Sequence, residues 1–231
     1  MINFALWMQQ RNLECLVKNK MTISYAIPVC TEHKEIDKLL TFLQKHIDEN
    51  DEIVIQCDSG NTTPEVFAVL ENHAPINNYL GQITVIEHPL NGDFASFKNN
   101  LKGHCQGDWI FQIDADEIPH KDLIENLKPL LQENPYTELF LVPRVNIVKG
   151  ITDEHIKKWK WNVNKFGWVN FPDYQTRVVQ NNPKIKWIGK VHEVLGGHNK
   201  YALLPREEEW SLYHHKHIDK QEFQNKMYDR L

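Results

Sequence analysis

Between residues 22 and 131 the chain alternates between two hydrophobic periods. ISYAIPV (23–29), EIVIQCD (52–58), ITVIEH (83–88) and WIFQI (109–113) are short, β-branched and apolar, as strands are. Between them lie EIDKLLTFLQKHI (35–47), PEVFAVLENH (64–73) and DFASFKNNLKGHC (93–105), with KDLIENLKPLL (121–131) after the last. Ile36, Leu39, Leu40, Leu43 and Ile47 fall at helical spacing on one face. Thr63-Pro64-Glu65 reads as an N-cap with proline at the first helical position. This β-α-β-α-β-α-β order predicts an α/β fold, a mostly parallel sheet with helices on both faces. Right-handed crossovers then gather the strand tips on one edge. Glu32, Asp58, Asn91 to Asp93 and Asp114 to Glu117 all belong to that edge.

The last strand ends in acid, WIFQIDADE (109–117). Ligands of open α/β sheets bind at the C-terminal ends of the strands. Two carboxylates one residue apart suit a hard divalent cation that keeps open positions for phosphate oxygens. The same pair serves equally as a turn and helix cap. An EF-hand is excluded, because its sixth loop position must be Gly and here is Pro119.

Composition narrows the class. The 231 residues, 41% hydrophobic and 25% charged, fit one folded domain. A net charge of −5 argues against a general nucleic-acid binder. No apolar run reaches membrane-spanning length. Cys15, Cys30, Cys57 and Cys105 include no C-x-x-C and read as reduced thiols of a cytoplasmic protein. Residues 1–21 read as an N-terminal extension, and 22–231 as a single domain. Its second half, 132–231, is less regular. ELFLVPRVNIV (138–148), YQTRVVQ (174–180), IKWIGKV (185–191) and SLYHHKH (211–217) read as strands, and IDKQEFQNKMYDRL as a helix covering part of the site. In the basic, aromatic segment 156–171, Trp168 and Phe171 read as core, and Trp159 and Trp161 suit either core or a platform on which a sugar ring stacks.

The chain resembles the family 2 glycosyltransferases of GT-A fold, in particular the small members that build lipopolysaccharide cores. The resemblance rests on AIPVCTE (26–32), EIVIQCDSGNTT (52–63), NGDFASFKNNLKGHCQGDWIFQIDADE (91–117), DYQTRVV (173–179) and WIGKVHEVL (187–195), in that order. It implies a Rossmann-like nucleotide-sugar half (22–131) and an acceptor half (132–231). It also implies a UDP- or GDP-linked sugar donor, Mn²⁺ or Mg²⁺, and a glycan, lipid-linked or protein acceptor. Pro28, Thr31, Glu32 and Asp58 match the nucleoside-binding positions, and Asp114 and Asp116 the metal motif. His214 matches a late histidine that serves as a further metal ligand; a surface His cluster is the other reading. Glu117 suits either a partner of the metal ligands or a cap.

Lys98 stands where the family more often has Arg, facing the diphosphate, or else on a solvated helix face. Asn99 and Asn100 suit holding the loop around Asp114. Asp173, Gln175 and Arg177 share one strand face by period two. A half-buried strand with a polar outer face is one reading; the resemblance implies instead that Arg177 contacts phosphate and that Gln175 or Asp173, with His192, binds the acceptor. For the base of an inverting transfer Glu193 comes first and Asp173 second. HEVLGGH lacks the i, i+4 histidines of a zinc protease. A nucleotidyltransferase on a similar sheet is the alternative, although PVCTEHK (28–34) has no Gly for a triphosphate loop. A non-catalytic sugar- or nucleotide-binding domain is another, although Asp58, Asp114, Asp116 and Glu193 are all present.

Overall fold

The computed structural model describes residues 21–74 and 83–222. The N-terminal extension and the tail beyond 222 lie outside these, as does Cys15. Strands β1 (Ile23–Val29), β2 (Glu52–Asp58), β3 (Ile83–His88), β4 (Trp109–Gln112), β6 (Leu139–Val142), β8 (Gln175–Gln180) and β11 (Tyr201–Leu203) form a seven-stranded sheet. Its order is β11-β6-β8-β4-β1-β2-β3, and β8 runs antiparallel to both its neighbours.

Period two sorts the strand residues between two cores. Ile23, Tyr25, Ile27 and Val29 point to the face covered by α1 (His33–His46), α2 (Pro64–His73) and α4 (Lys121–Glu133). Ala26, Val54 and Ile110 point to the face covered by α3 (Phe94–Gly103). The apolar stripe of α1, read at helical spacing, is fully buried at Ile36, Leu39, Leu40 and Leu43. Each such side chain contributes about 1.5–3 kcal/mol.

The segment 138–148, expected as one strand, is two. Pro143 has no N–H to continue the ladder. Leu139–Val142 stays in the large sheet, while β7 (Arg144–Lys149) enters a three-stranded sheet with β5 (Glu117–Pro119) and β12 (Leu212–His217). In that sheet His214 is opposite Glu117 on one side and Asn146 on the other. The strand expected to run to Val191 stops at Ile188. There β9 (Lys186–Ile188) turns back into β10 (Val194–Gly196). The segment 156–171 supplies only the end of α5 (Asp153–Trp159), and Trp168 and Phe171 are half-buried against each other rather than in the core.

Candidate active site

The tips of β1, β2 and β4 open into a crevice of about 520 Å³. Its walls include Pro28, Glu32, Asp58, Lys98, Asp114, Asp116, His192, Glu193 and Lys220. Chain segments far apart in sequence converge here because parallel crossovers place every strand's C-terminal end on the same edge.

Asp58 ends β2. Its Oδ1 accepts from the Leu90 backbone N–H (2.9 Å) and its Oδ2 from Asn61 Nδ2 (2.9 Å), which fixes the loop before α3. Glu32 folds back to accept from the backbone N–H groups of Cys30 and Thr31. Thr31 itself is exposed and lies off the crevice wall.

Ile113 still pairs with β1, donating to Ala26 O, before the chain turns at Asp114. The Asp114 carboxylate is held by the guanidinium of Arg177, which also donates to Glu117 Oε1 at 2.7 Å. Glu117, fully buried, closes the turn by accepting from the Asp114 backbone N–H through Oε2 (3.2 Å). It is therefore a partner of the Asp114 turn. Burial would raise the Asp114 carboxyl, but Arg177 and Lys98 outweigh it and hold it below the usual carboxylate range. Arg177 is buried behind Asp114 and reaches the crevice only through that carboxylate, so direct contact with a donor phosphate is not what its position offers.

Asp116 points the other way, to the small sheet. Its Oδ2 lies 3.5 Å from His214 Nε2 and 3.0 Å from Lys220 Nζ. Burial pushes the Asp116 carboxyl up, and the His214 hydrogen bond and charge together with Lys220 push it well below the usual range. His214 Nδ1 faces Asn146 Oδ1 at 3.0 Å, and Asn146 Nδ2 donates to Asp173. Nδ1 is thus the donor, and Nε2 is directed at Asp116. His214 is buried, whereas His215 and His217 on the opposite strand face are exposed, which rules out a purely surface cluster.

Among the described residues no three His, Cys, Asp or Glu side chains are grouped so as to hold a metal by themselves. Asp114 is turned to Arg177, so the expected trio of Asp114, Asp116 and His214 is not assembled. The pair Asp116 and His214 does fit a cation. Two ligands each about 2.1 Å from one ion lie about 3–3.5 Å apart, and the imidazole is oriented from behind by Asn146, as metal-bound histidines commonly are.

Lys98 is not on a solvated face. It extends from α3 to Glu193 Oε1 (2.5 Å) and lies 4.4 Å from the centre of the Trp187 ring. Asp93 caps α3 by accepting from the Ser96 N–H (2.9 Å). Asn99 exchanges two hydrogen bonds with the Trp187 backbone, and Phe94 N–H donates to Lys190 O, so α3 carries the β9–β10 turn. Asn99 and Asn100 hold β9 and β2 (through Gln56), not the Asp114 loop. Within the turn His192 adopts φ 57°, uncommon for a residue with a Cβ, and Glu193 follows it onto the crevice wall. No described group bonds Glu193 Oε2.

The remaining expected residues lie outside this crevice. The Asp173 carboxylate receives Arg144 Nε (3.0 Å) and Nη2 (2.6 Å), Asn146 and Gln175. Burial raises this carboxyl, and Arg144 and Asn146 reverse the effect and leave it lowered. Trp161 lines a second cavity of about 160 Å³ with Arg144, Asn146, His214 and Lys216. His214 lines this second cavity and faces Asp116, which lines the crevice, so the pair joins the two networks. Arg144, Asn146 and Lys220 escaped the sequence reading. Only register across the small sheet sets Asn146 opposite His214 and Arg144 opposite Leu212, and a single lysine in a tail of balanced charge carries no signal of its own.

The model of glycosyl transferase family 2 matches residues 24–187, and every residue of the crevice wall up to Trp187 falls inside the match. The chain belongs to glycosyl transferase family 2. Among solved structures, S. aureus TarS 1–349 in complex with UDP-GlcNAc is similar with a TM-score of 0.60 at 14% identity, over 86% of this chain and 59% of that one. The crystal structure of TarS 1–349 gives 0.59, over 85% and 60%. A mycobacterial protein gives 0.50 at 12% identity, over 85% and 66%. At these identities the likeness establishes the GT-A fold, and the chain spans about 60% of the TarS fragment. No curated protein matches the sequence. Among the described residues no helix is long and apolar enough to cross a membrane.

Proposed function

We propose that this glycosyltransferase moves a sugar from a UDP- or GDP-linked donor to an acceptor hydroxyl with inversion, assisted by a divalent cation held at Asp116 and His214. The single observation that carries the reading is the convergence of Asp58, Asp114, Asp116 and Glu193 on one crevice at the tips of β1, β2 and β4. The TarS structure bound to UDP-GlcNAc supports a nucleotide-sugar donor on this fold.

In this reading Pro28, Glu32 and Asp58 face the nucleoside, and Asp114 is held rigid by Arg177. When bound, the cation supplies Lewis-acid neutralisation of the leaving diphosphate. Glu193 takes the proton of the acceptor hydroxyl while the acceptor oxygen bonds to the anomeric carbon and the bond from that carbon to the diphosphate breaks, the nucleoside diphosphate leaving. Lys98 fixes Glu193 through Oε1, which leaves Oε2 to take the proton. Asp173 is a poorer base, because Arg144 already occupies its carboxylate. The acceptor lies along the crevice beside His192 and reaches the second cavity, where Trp161 presents an aromatic wall.

Nucleotide release from UDP- and GDP-sugars, measured with Mn²⁺ and with EDTA, tests the reading. The native protein is expected to hydrolyse one donor slowly, and EDTA to abolish this. Glu193→Gln is expected to bind the nucleoside diphosphate as before and to lose about 10²–10⁴-fold in transfer. Full activity in that variant would remove Glu193 as the base.

A further inference from the structure

Lys220 sits in the helical turn 218–222 that follows β12, at the rim of the crevice. Its ammonium lies 3.0 Å from Asp116 Oδ2 and 3.9 Å from Glu32 Oε1. Glu32 follows β1 and Asp116 follows β4, so one cation from the C-terminal segment bridges two walls of the nucleotide crevice. The oxygen it covers is the one that faces His214 Nε2.

A divalent ion and an ammonium repel, and both cannot occupy Asp116 Oδ2. The Lys220 side chain is 41% exposed, so water screens its ion pair, which is weak and readily displaced. A lysine is a flexible point charge that moves without refolding the backbone. Once off Asp116 it remains at the crevice mouth, where a diphosphate adds negative charge.

Resting on the donor reading above, we propose that Lys220 is an exchangeable gate of the site. It covers the cation position at Asp116 and moves to the diphosphate when cation and nucleotide enter together. Neither the cation alone nor the nucleotide alone then binds well, and the two bind cooperatively. Lys220 then contacts the leaving diphosphate and takes no part in the proton transfer.

The signature is a pair of opposite effects from one substitution. For Lys220→Met, Mn²⁺ alone, followed by electron paramagnetic resonance, is expected to bind about two- to five-fold more tightly, the range set by a weak exposed pair. UDP or GDP in the presence of Mn²⁺, followed by calorimetry, is expected to bind about three- to ten-fold more weakly. Lys220→Arg, which keeps the charge, is expected to restore most of both. An unchanged or weaker Mn²⁺ affinity in Lys220→Met, or an unchanged affinity for the nucleotide with Mn²⁺, overturns the proposal. If the native protein binds neither Mn²⁺ nor a nucleoside diphosphate, the donor reading itself fails, and the gate with it. If the native protein binds both and the variants match it, only the gate fails.

Discussion

Arg177 separates what a single residue's position in sequence implies from what its surroundings make of it. The D-x-Q-x-R spacing put its side chain on one face with Asp173 and Gln175, and a basic residue in that setting suggested phosphate. In the fold it is buried between Asp114 and Glu117, and its role is to fix the Asp114 turn. Breaking a buried pair from one side leaves the partner's charge uncompensated. Arg177→Gln is therefore expected to lower unfolding free energy by about 3–5 kcal/mol, read from the urea midpoint at constant slope. Lys98 went the other way. The sequence left it open between solvent and site, and its span to Glu193 across Trp187 places it on the crevice wall. The acids of Asp114 to Glu117 were legible as a group at a strand tip, but the motif alone suited a turn and helix cap as well as a ligand site.

Among the elements, the β9–β10 hairpin was misread and matters most. IKWIGKV is rich in strand formers, so local preference extends β9 through Gly189, while the structure turns there at φ 96°. Gly197, just after β10, takes φ 85°, and a Cβ on it would meet Lys184 O at 2.1 Å. Backbone at that distance has no way to give. Gly197→Ala is expected to displace the hairpin and with it Glu193. Transfer should then fall at least about tenfold, while affinity for the nucleoside diphosphate, which rests on β1, β2 and β4, changes little. Equal losses in binding and transfer would show that the hairpin also shapes the donor half. The small β5–β12–β7 sheet was equally hidden. β7 and β12 lay within segments read as strands, but the break at Pro143 that assigns β7 to this sheet is a single residue inside one strand-like run.

For the whole molecule, acid stability follows from the network that the two sheets share. Burial raises the Asp173 carboxyl, but Arg144 and Asn146 prevail and leave it below its unfolded value of about 3.9. Asp114 and Asp116 are lowered in the same sense by Arg177 and His214, against burial. A depressed carboxyl contributes stability that is present above the unfolded pKa and lost as pH falls through the folded one. The urea midpoint should thus hold between pH 5 and 7, by the same reasoning, and fall progressively below about pH 4. Asp173→Asn should flatten part of that acid limb, and a parallel limb in the variant would exclude Asp173 as a contributor. Hydrophobic period and turn chemistry were enough to determine the order of strands and helices in the first half, the parallel sheet and the edge on which the acids gather, because these depend on residues near one another in the chain. Which acids face the crevice, which are held by arginines behind it, and which residues from the last hundred positions complete it were decided only by packing. Those contacts join segments 60 to 104 residues apart, between Arg177 and Glu117 and between Lys220 and Asp116, and no local pattern encodes a pairing across such a distance.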